Sequence, residues 1–296
     1  MKRTVRLPAF AKVNLCLHVL GRRPDGYHEL RTIFQAISLH DTLELSLATS
    51  TGITLETDDS TLPAGRENLV YRALEAIIAE TGFRGGVHAR LEKRIPVARG
   101  LGGGSSDAAA ALIGMLRLTK KKVPLERLME MGASLGADVP FFLFGGRALA
   151  TNRGDEIYPL TDAPKRSILV VSPRGIGVST KEAYQWVSEE LTNRSKPPNI
   201  WGFCALCWSR SGAVSNDFEG PVFRRHPRLG EIRAGLLKRG AADAALAGSG
   251  SAVFGLFRNP AQARRAARAF PEDSVFVVAT LSREKYGRAV GWRVTS

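Results

Sequence analysis

Between Val13 and Val19 an apolar side chain falls on every second residue (Val13, Leu15, Leu17, Val19), with Lys12, Asn14, Cys16 and His18 interleaved. Period two predicts a strand and puts Lys12 and Asn14 together on its more polar face. Arg22-Arg23-Pro24-Asp25-Gly26 then makes a turn by its proline and glycine chemistry. Further strands are predicted at 30–37, 43–47, 53–57 and 87–92. Asn68 to Glu80 has amphipathic helical spacing, with Gly82 placed to stop it. An alanine-rich helix is predicted over Ala108–Leu118, and another opens with Pro124 in its first turn and ends before Gly136.

Near residue 160 the pattern changes, which predicts two domains, 1–160 and 161–296. Ser167–Val171 has the pattern of a buried strand, and Ser179-Thr180-Lys181-Glu182 that of a capping box opening a helix. A helix over Pro227–Arg239 ends at Gly240; strands at Ala241–Leu246 and Ala252–Phe257 flank Gly248-Ser249-Gly250-Ser251; a helix at 260–269 and a strand at 274–279 follow. This order predicts an α+β unit with a ferredoxin-like layer. Residues 192–215, with Pro197-Pro198, Trp201 and Trp208, are polar and irregular, the pattern of an insertion or mobile loop.

The chain is organised around residues 95–112. Gly100, Gly102, Gly103 and Gly104 crowd a loop where missing Cβ atoms allow left-handed backbone and close approach of a ligand. Ser105, Ser106 and Asp107 then sit where helix caps belong. A glycine loop running into a helix N-terminus points unpaired N–H groups and the positive end of the helix dipole at an anion, and phosphate suits that best. No Gly-Lys-Ser/Thr occurs in the chain, so this is not a Walker A loop. Asp138, in Gly136-Ala137-Asp138-Val139-Pro140, is predicted in a bend, because the residue before a proline is pushed out of helical geometry.

A formal charge of +14 raises nucleic-acid binding or a basic cleft for small anions. The cations are scattered and not interleaved with aromatics, which argues against nucleic acid. Cys16, Cys204 and Cys207 are too few for a disulfide framework, which predicts a reducing compartment, and the lone pair Cys204 and Cys207 reads as free thiols with no metal site. Lys12 and Asn14 interrupt the first apolar run, so no secretory signal is expected. No apolar stretch approaches the ~20 residues of a membrane span. A soluble, cytoplasmic protein is expected.

Three separated segments resemble the GHMP kinases (galacto-, homoserine, mevalonate and phosphomevalonate kinases): Pro8–Leu15, the glycine loop at 96–107, and Leu246–Phe254. Arg23–Leu30, Gly100–Ala109, Gly136–Phe142 and Asn216–Glu219 are similar to the branch whose substrate is 4-diphosphocytidyl-2-C-methyl-D-erythritol, in the non-mevalonate isoprenoid pathway. The resemblance implies an α+β, two-domain GHMP kinase fold: an N-terminal ribosomal-protein-S5-domain-2-like α/β sandwich and a C-terminal ferredoxin-like α/β domain, with the site between them. It also implies ATP-dependent phosphorylation of a tertiary hydroxyl, with Mg²⁺.

Carried over by position, the resemblance makes Lys12 and Asp138 the catalytic residues. Asp138 would take or orient the hydroxyl proton, and Lys12 would polarise that hydroxyl or stabilise charge on the transferred group. Pro96, Val97, Ala98, Arg99, Gly100, Leu101, Gly102, Gly103, Gly104, Ser105 and Ser106 would hold the ATP phosphates, with Ser105 or Ser106 near Mg²⁺. Asn14, Tyr27, His28 and Tyr184 would bind the cytidine by stacking and hydrogen bonds. Arg99 stands where the family more often carries a small residue, so it either contacts phosphate or points to solvent.

Overall fold

The computed structural model describes residues 3–191 and 214–294. The predicted insertion at 192–215, with Cys204 and Cys207, lies almost wholly outside the described residues.

Two long antiparallel strands, β1 (Thr4–Arg22) and β2 (His28–Ala48), form the spine of the first sheet. The turn predicted at 22–26 joins them, and the ranges 30–37 and 43–47 belong to a single strand. The strand at 13–19 extends nine residues further back, to Thr4, and its pairing with β2 shifts register at Phe10/Lys12, Asn14/Cys16 and Val19/Gly21. β3 (Gly52–Thr57) and β4 (Gly86–Glu92) lie beyond β2 and are parallel to each other. β5 (Arg147–Thr151) pairs with the other end of β2, and β6 (Glu156–Pro159) with β5.

Helix α1 (Leu69–Thr81) has local start and stop signals: Asn68 caps the Val70 N–H, and Gly82 is left-handed at φ 60°. Helix α2 (Gly103–Thr119) is buried along most of its length, between the sheet and helices α1, α3 (Leu125–Leu135) and α4 (Val139–Phe144). Its run Ala108–Ala111 presents no bulky side chain, so the backbone comes close to its neighbours on every face.

The second sheet comprises β7 (Ser167–Ser172), β9 (Asp243–Leu246), β10 (Val253–Phe257) and β11 (Ser274–Ala279), in the order β11-β7-β10-β9 and antiparallel throughout. With helices α5 (Thr180–Leu191), α6 (Glu219–Arg225), α7 (Pro227–Lys238) and α8 (Pro260–Ala267), this is the predicted ferredoxin-like layer. Two elements cross between the halves. β8 (Ser215–Asn216) pairs with β1, and α9 (Arg283–Val290) packs Tyr286 and Val290 into the first core. The Tyr286 hydroxyl donates to the Phe142 carbonyl at 2.6 Å.

Where the sheets meet, Ala11, Val13, Ile37 and Leu101 pack against Ile168, Val170, Ala245 and Phe254. Both faces of β1 are thereby covered, and Lys12 and Asn14 end up 4 % and 2 % exposed rather than on a solvated polar face. Cys16 is disulfide-bonded, which runs against the reducing compartment expected from the cysteine count. A pairing between positions distant in sequence is invisible to a cysteine count.

Candidate active site

The glycine loop is stitched to β1 by a hydrogen bond from the Lys12 N–H to the Leu101 carbonyl, 2.9 Å. Ala98, Gly100 and Gly102 all have positive φ, at 55°, 77° and 74°. Helix α2 begins at Gly103, with Gly102 at the cap and no side-chain capping bond, so Ser105, Ser106 and Asp107 lie inside the helix and are not caps. Tertiary crowding demands the glycine: a Cβ on Gly102 would sit 2.9 Å from the Phe142 ring and 3.1 Å from Lys12 Cγ. The first amide turned back into the helix is that of Ser106, bonded to Gly102 O at 2.9 Å. The three amides before it are left for a ligand.

Lys12 reaches the mouth of this loop from β1. Its Nζ donates to Asn14 Oδ1 at 2.9 Å, lies 3.3 Å from Asp138 Oδ2 and sits 4.9 Å above the Phe34 ring. Asp138 is the residue before α4, with helical φ and ψ (−81°, −15°), and Val139 already belongs to the helix, so the non-helical bend expected before Pro140 does not form. The proline stands in the first turn, where its ring meets no preceding helical carbonyl. Its side chain makes no capping bond, so the carboxylate serves the cleft rather than the helix. Asn14 is held by Lys12 on one side and by Thr32 on the other, the Nδ2 to Oγ1 distance being 2.8 Å. It belongs with the lysine more than with the aromatic end of the cleft.

That end holds Tyr27, His28 and Tyr184. His28 stacks on Tyr184 (centroids 4.8 Å apart, planes at 25°), and its Nε2 pairs with Ser188 Oγ at 2.6 Å. Burial, then the charge of Arg22, lowers the His28 pKa, so the ring is neutral at neutral pH. Tyr184 rests edge-on against Phe218, and burial, with the Asp138 charge, raises its pKa. Tyr27 is 56 % exposed, with the Arg153 guanidinium 4.9 Å from its ring centre and Asp155 holding that arginine. One cleft of about 1020 Å³ runs from the glycine loop, past Lys12 and Asp138, to these rings. That exceeds what a single small ligand fills, so two can lie end to end with Lys12 and Asp138 where they meet.

Residues 68–146 match the GHMP kinases N terminal domain and residues 190–274 the GHMP kinases C terminal domain. A 4-diphosphocytidyl-2-C-methyl-D-erythritol kinase of Solibacter usitatus is 45 % identical, over 98 % of this chain and 92 % of its own length. The chain belongs to the 4-diphosphocytidyl-2-C-methyl-D-erythritol kinase family. The kinase of that name from Geobacter metallireducens is 42 % identical over 94 % of this chain and 98 % of its own. A crystal structure of 4-(cytidine 5'-diphospho)-2C-methyl-D-erythritol kinase superposes with a TM-score of 0.80 at 39 % identity, covering 93 % of this chain and 99 % of that one. Methanococcus jannaschii mevalonate kinase shares the fold, with a TM-score of 0.69 at 16 % identity over 95 % of this chain and 99 % of its own.

In this family member the other motifs are largely joinery. Asn216 Nδ2 donates to the carbonyls of Leu246 and Gly248, and Glu219 accepts from the Leu246 N–H, so Asn216–Glu219 shapes the second glycine turn. Arg99 Nη1 donates to Ser251 Oγ at 2.6 Å, tying the glycine loop to that turn, and the side chain lines the cleft. Sequence reasoning missed Thr32, Thr180 and Lys93, which line the cleft. Thr180, as the second residue of the capping box, carried a signal; its hydroxyl lies 3.1 Å from that of Ser249.

Lys93 is set beneath the first turn of α2 between two buried carboxylates, Asp41 and Asp107, the latter at 2.7 Å. Burial pushes the Asp107 carboxyl up to about 8; Lys93 opposes this and the Asp41 charge reinforces it. The unfolded chain releases this proton near its ordinary value of 3.8, while the folded chain keeps it to about 8. Stability from this group is therefore full below pH 4 and falls as pH rises to about 8. Asp107→Asn keeps the shape and removes the proton. Urea midpoints of variant and wild type should diverge in the variant's favour across that window; parallel profiles would count against the assignment.

Proposed function

We propose that this chain transfers the γ-phosphoryl group of ATP to the 2-hydroxyl of 4-diphosphocytidyl-2-C-methyl-D-erythritol, giving the 2-phosphate in the non-mevalonate route to isoprenoid precursors. The observation that carries the reading is the Lys12–Asp138 pair, 3.3 Å apart, between a phosphate-type helix N-terminus and an aromatic end in one continuous cleft.

In this reading the ATP phosphates rest on the free amides of α2, where dipole and N–H groups favour negative charge. Asp138 Oδ2 accepts the proton of the attacking hydroxyl as its oxygen approaches phosphorus in line. Lys12, buried and already paired, offers a fixed positive charge to the transferred group without having to reorganise. Ser106 suits Mg²⁺: its hydroxyl is buried and has no partner among the described residues. Ser105 or Ser106 would face the ion, which when bound with ATP neutralises charge on the phosphate oxygens.

At the other end, neutral His28 spends its Nε2 proton on Ser188, whose own hydroxyl proton goes to the Tyr184 carbonyl, and so offers Nδ1 as an acceptor suited to the amino group of a pyrimidine. Tyr27 and Tyr184 supply ring faces, and Arg22, Arg153 and Lys181 line the cleft with charge suited to a diphosphate. Stacking of a base on an aromatic ring contributes about 1–3 kcal/mol. Tyr27→Ala should therefore raise KM for the cytidyl substrate about tenfold while KM for ATP stays within about twofold. Equal rises in both would remove Tyr27 from the cytidine site.

ADP release by the purified protein with Mg-ATP tests the function. Turnover should require 4-diphosphocytidyl-2-C-methyl-D-erythritol, and methylerythritol 4-phosphate, mevalonate and homoserine should not replace it. Turnover with one of those alcohols would keep the phosphate loop and discard the cytidine reading.

A further inference from the structure

We propose that Thr32 is a positioning residue for the phosphoryl transfer, acting through Asn14 to fix the orientation of Lys12. The proposal rests on the reading of Lys12 and Asp138 as the catalytic pair.

Its logic is one of hydrogen-bond direction. Thr32 Oγ1 donates to the Cys16 carbonyl at 2.7 Å, and a carbonyl can only accept. The hydroxyl proton is therefore committed, and toward Asn14, 2.8 Å away, Thr32 can only accept. The Asn14 atom facing Thr32 is thus the amide nitrogen, which turns Oδ1 toward Lys12 Nζ at 2.9 Å. Of the three ammonium protons, one is then held by Asn14 and one is directed at Asp138, leaving the third for the cleft.

Were the Asn14 amide reversed, its NH₂ would face the ammonium, donor against donor, and Lys12 would have to move. Thr32, Asn14 and Lys12 are 1 %, 2 % and 4 % exposed, so bulk water cannot take over either bond. The polarity of the catalytic lysine is thereby set by a backbone carbonyl, three hydrogen bonds away, in a strand whose register shifts between Asn14 and Cys16.

The test is steady-state kinetics of Thr32→Val and Thr32→Ser, each with a thermal melt, alone and in an Asn14→Ala background. Thr32→Val keeps the side-chain shape but strips the Asn14 nitrogen of its acceptor; kcat should fall about tenfold or more, with KM for ATP within about twofold. Thr32→Ser should restore kcat. In the Asn14→Ala background Thr32→Val should cost nothing further, since the residue it acts through is gone. Wild-type kcat in Thr32→Val, or the same fractional loss with Asn14 removed, would overturn the proposal. If the valine variant does not fold, Thr32→Ala is compared in the same two backgrounds. Wild type inactive on the cytidyl substrate would instead sink the functional reading, so the two failures are distinguishable.

Discussion

Asp138→Asn should lower kcat by about a thousandfold, within the range that loss of a proton acceptor produces, while the dissociation constant for ATP changes less than about threefold. The amide has nearly the same volume and sits in the same turn before α4, so the fold has no reason to respond. Two things are lost together. The side chain can no longer take the hydroxyl proton, and Lys12, almost fully buried, loses the charge that balances it at 3.3 Å. The phosphate loop is held by the Lys12 backbone, Ser251 and the packing of α2, none of which passes through the Asp138 carboxylate. Single-turnover phosphoryl transfer with nucleotide binding measured separately reads both halves. A rate within tenfold of wild type would leave Asp138 as a positioning group only.

Gly100→Ala should destabilise the protein by about 3 kcal/mol or more, a Tm drop of at least about 6 °C for a chain of this size, and weaken ATP binding severely. At Gly100, φ is +77°, where an L side chain is strained, and a Cβ would land 1.8 Å from the Ala247 carbonyl oxygen. That atom is backbone in the turn after β9, so no rotamer change relieves the clash. Either the glycine loop or the Leu246–Ser251 turn must retreat, and with it the contact that closes the cleft. Differential scanning calorimetry with and without nucleotide checks the expectation. A wild-type melt with wild-type nucleotide affinity would show that the two backbones part without cost.

Legibility in the sequence followed how local the physical cause was. Helix α1 was readable to within a residue because its cap, Asn68, and its stop, Gly82, lie in the chain beside it. The first half of β1 was not, because Pro8 falls inside it and residues 9–13 are buried one after another, so no alternation marks it. Helix α2 was expected to start several residues later, since glycine disfavours helix; packing of Phe142 and Lys12 against Gly102 overrides that propensity. The Arg99–Ser251 bond was not readable because the two residues lie far apart along the chain.

The candidate site divides in the same way. Motif residues carried enough chemistry to nominate Lys12, Asp138, the glycine loop and the aromatics, and the family comparisons agree with the activity those motifs implied. Their spacing could not say that Asn14 braces the lysine, nor that Thr32 stands behind it. Both facts come from the pairing of β1 with β2, where Leu17 falls opposite Thr32.

By itself, then, the sequence determined the alternation of strands and helices, the glycine loop at a helix N-terminus, the charge of the cleft and the residue types of the chemistry. Each of these follows from propensity and pattern within a few residues. Only the tertiary structure decided which side chains are buried, which way their hydrogen bonds run and how Lys12 meets Asp138. Burial and hydrogen-bond direction depend on atoms brought together from β1, β2 and α4, and no local stretch of chain contains them.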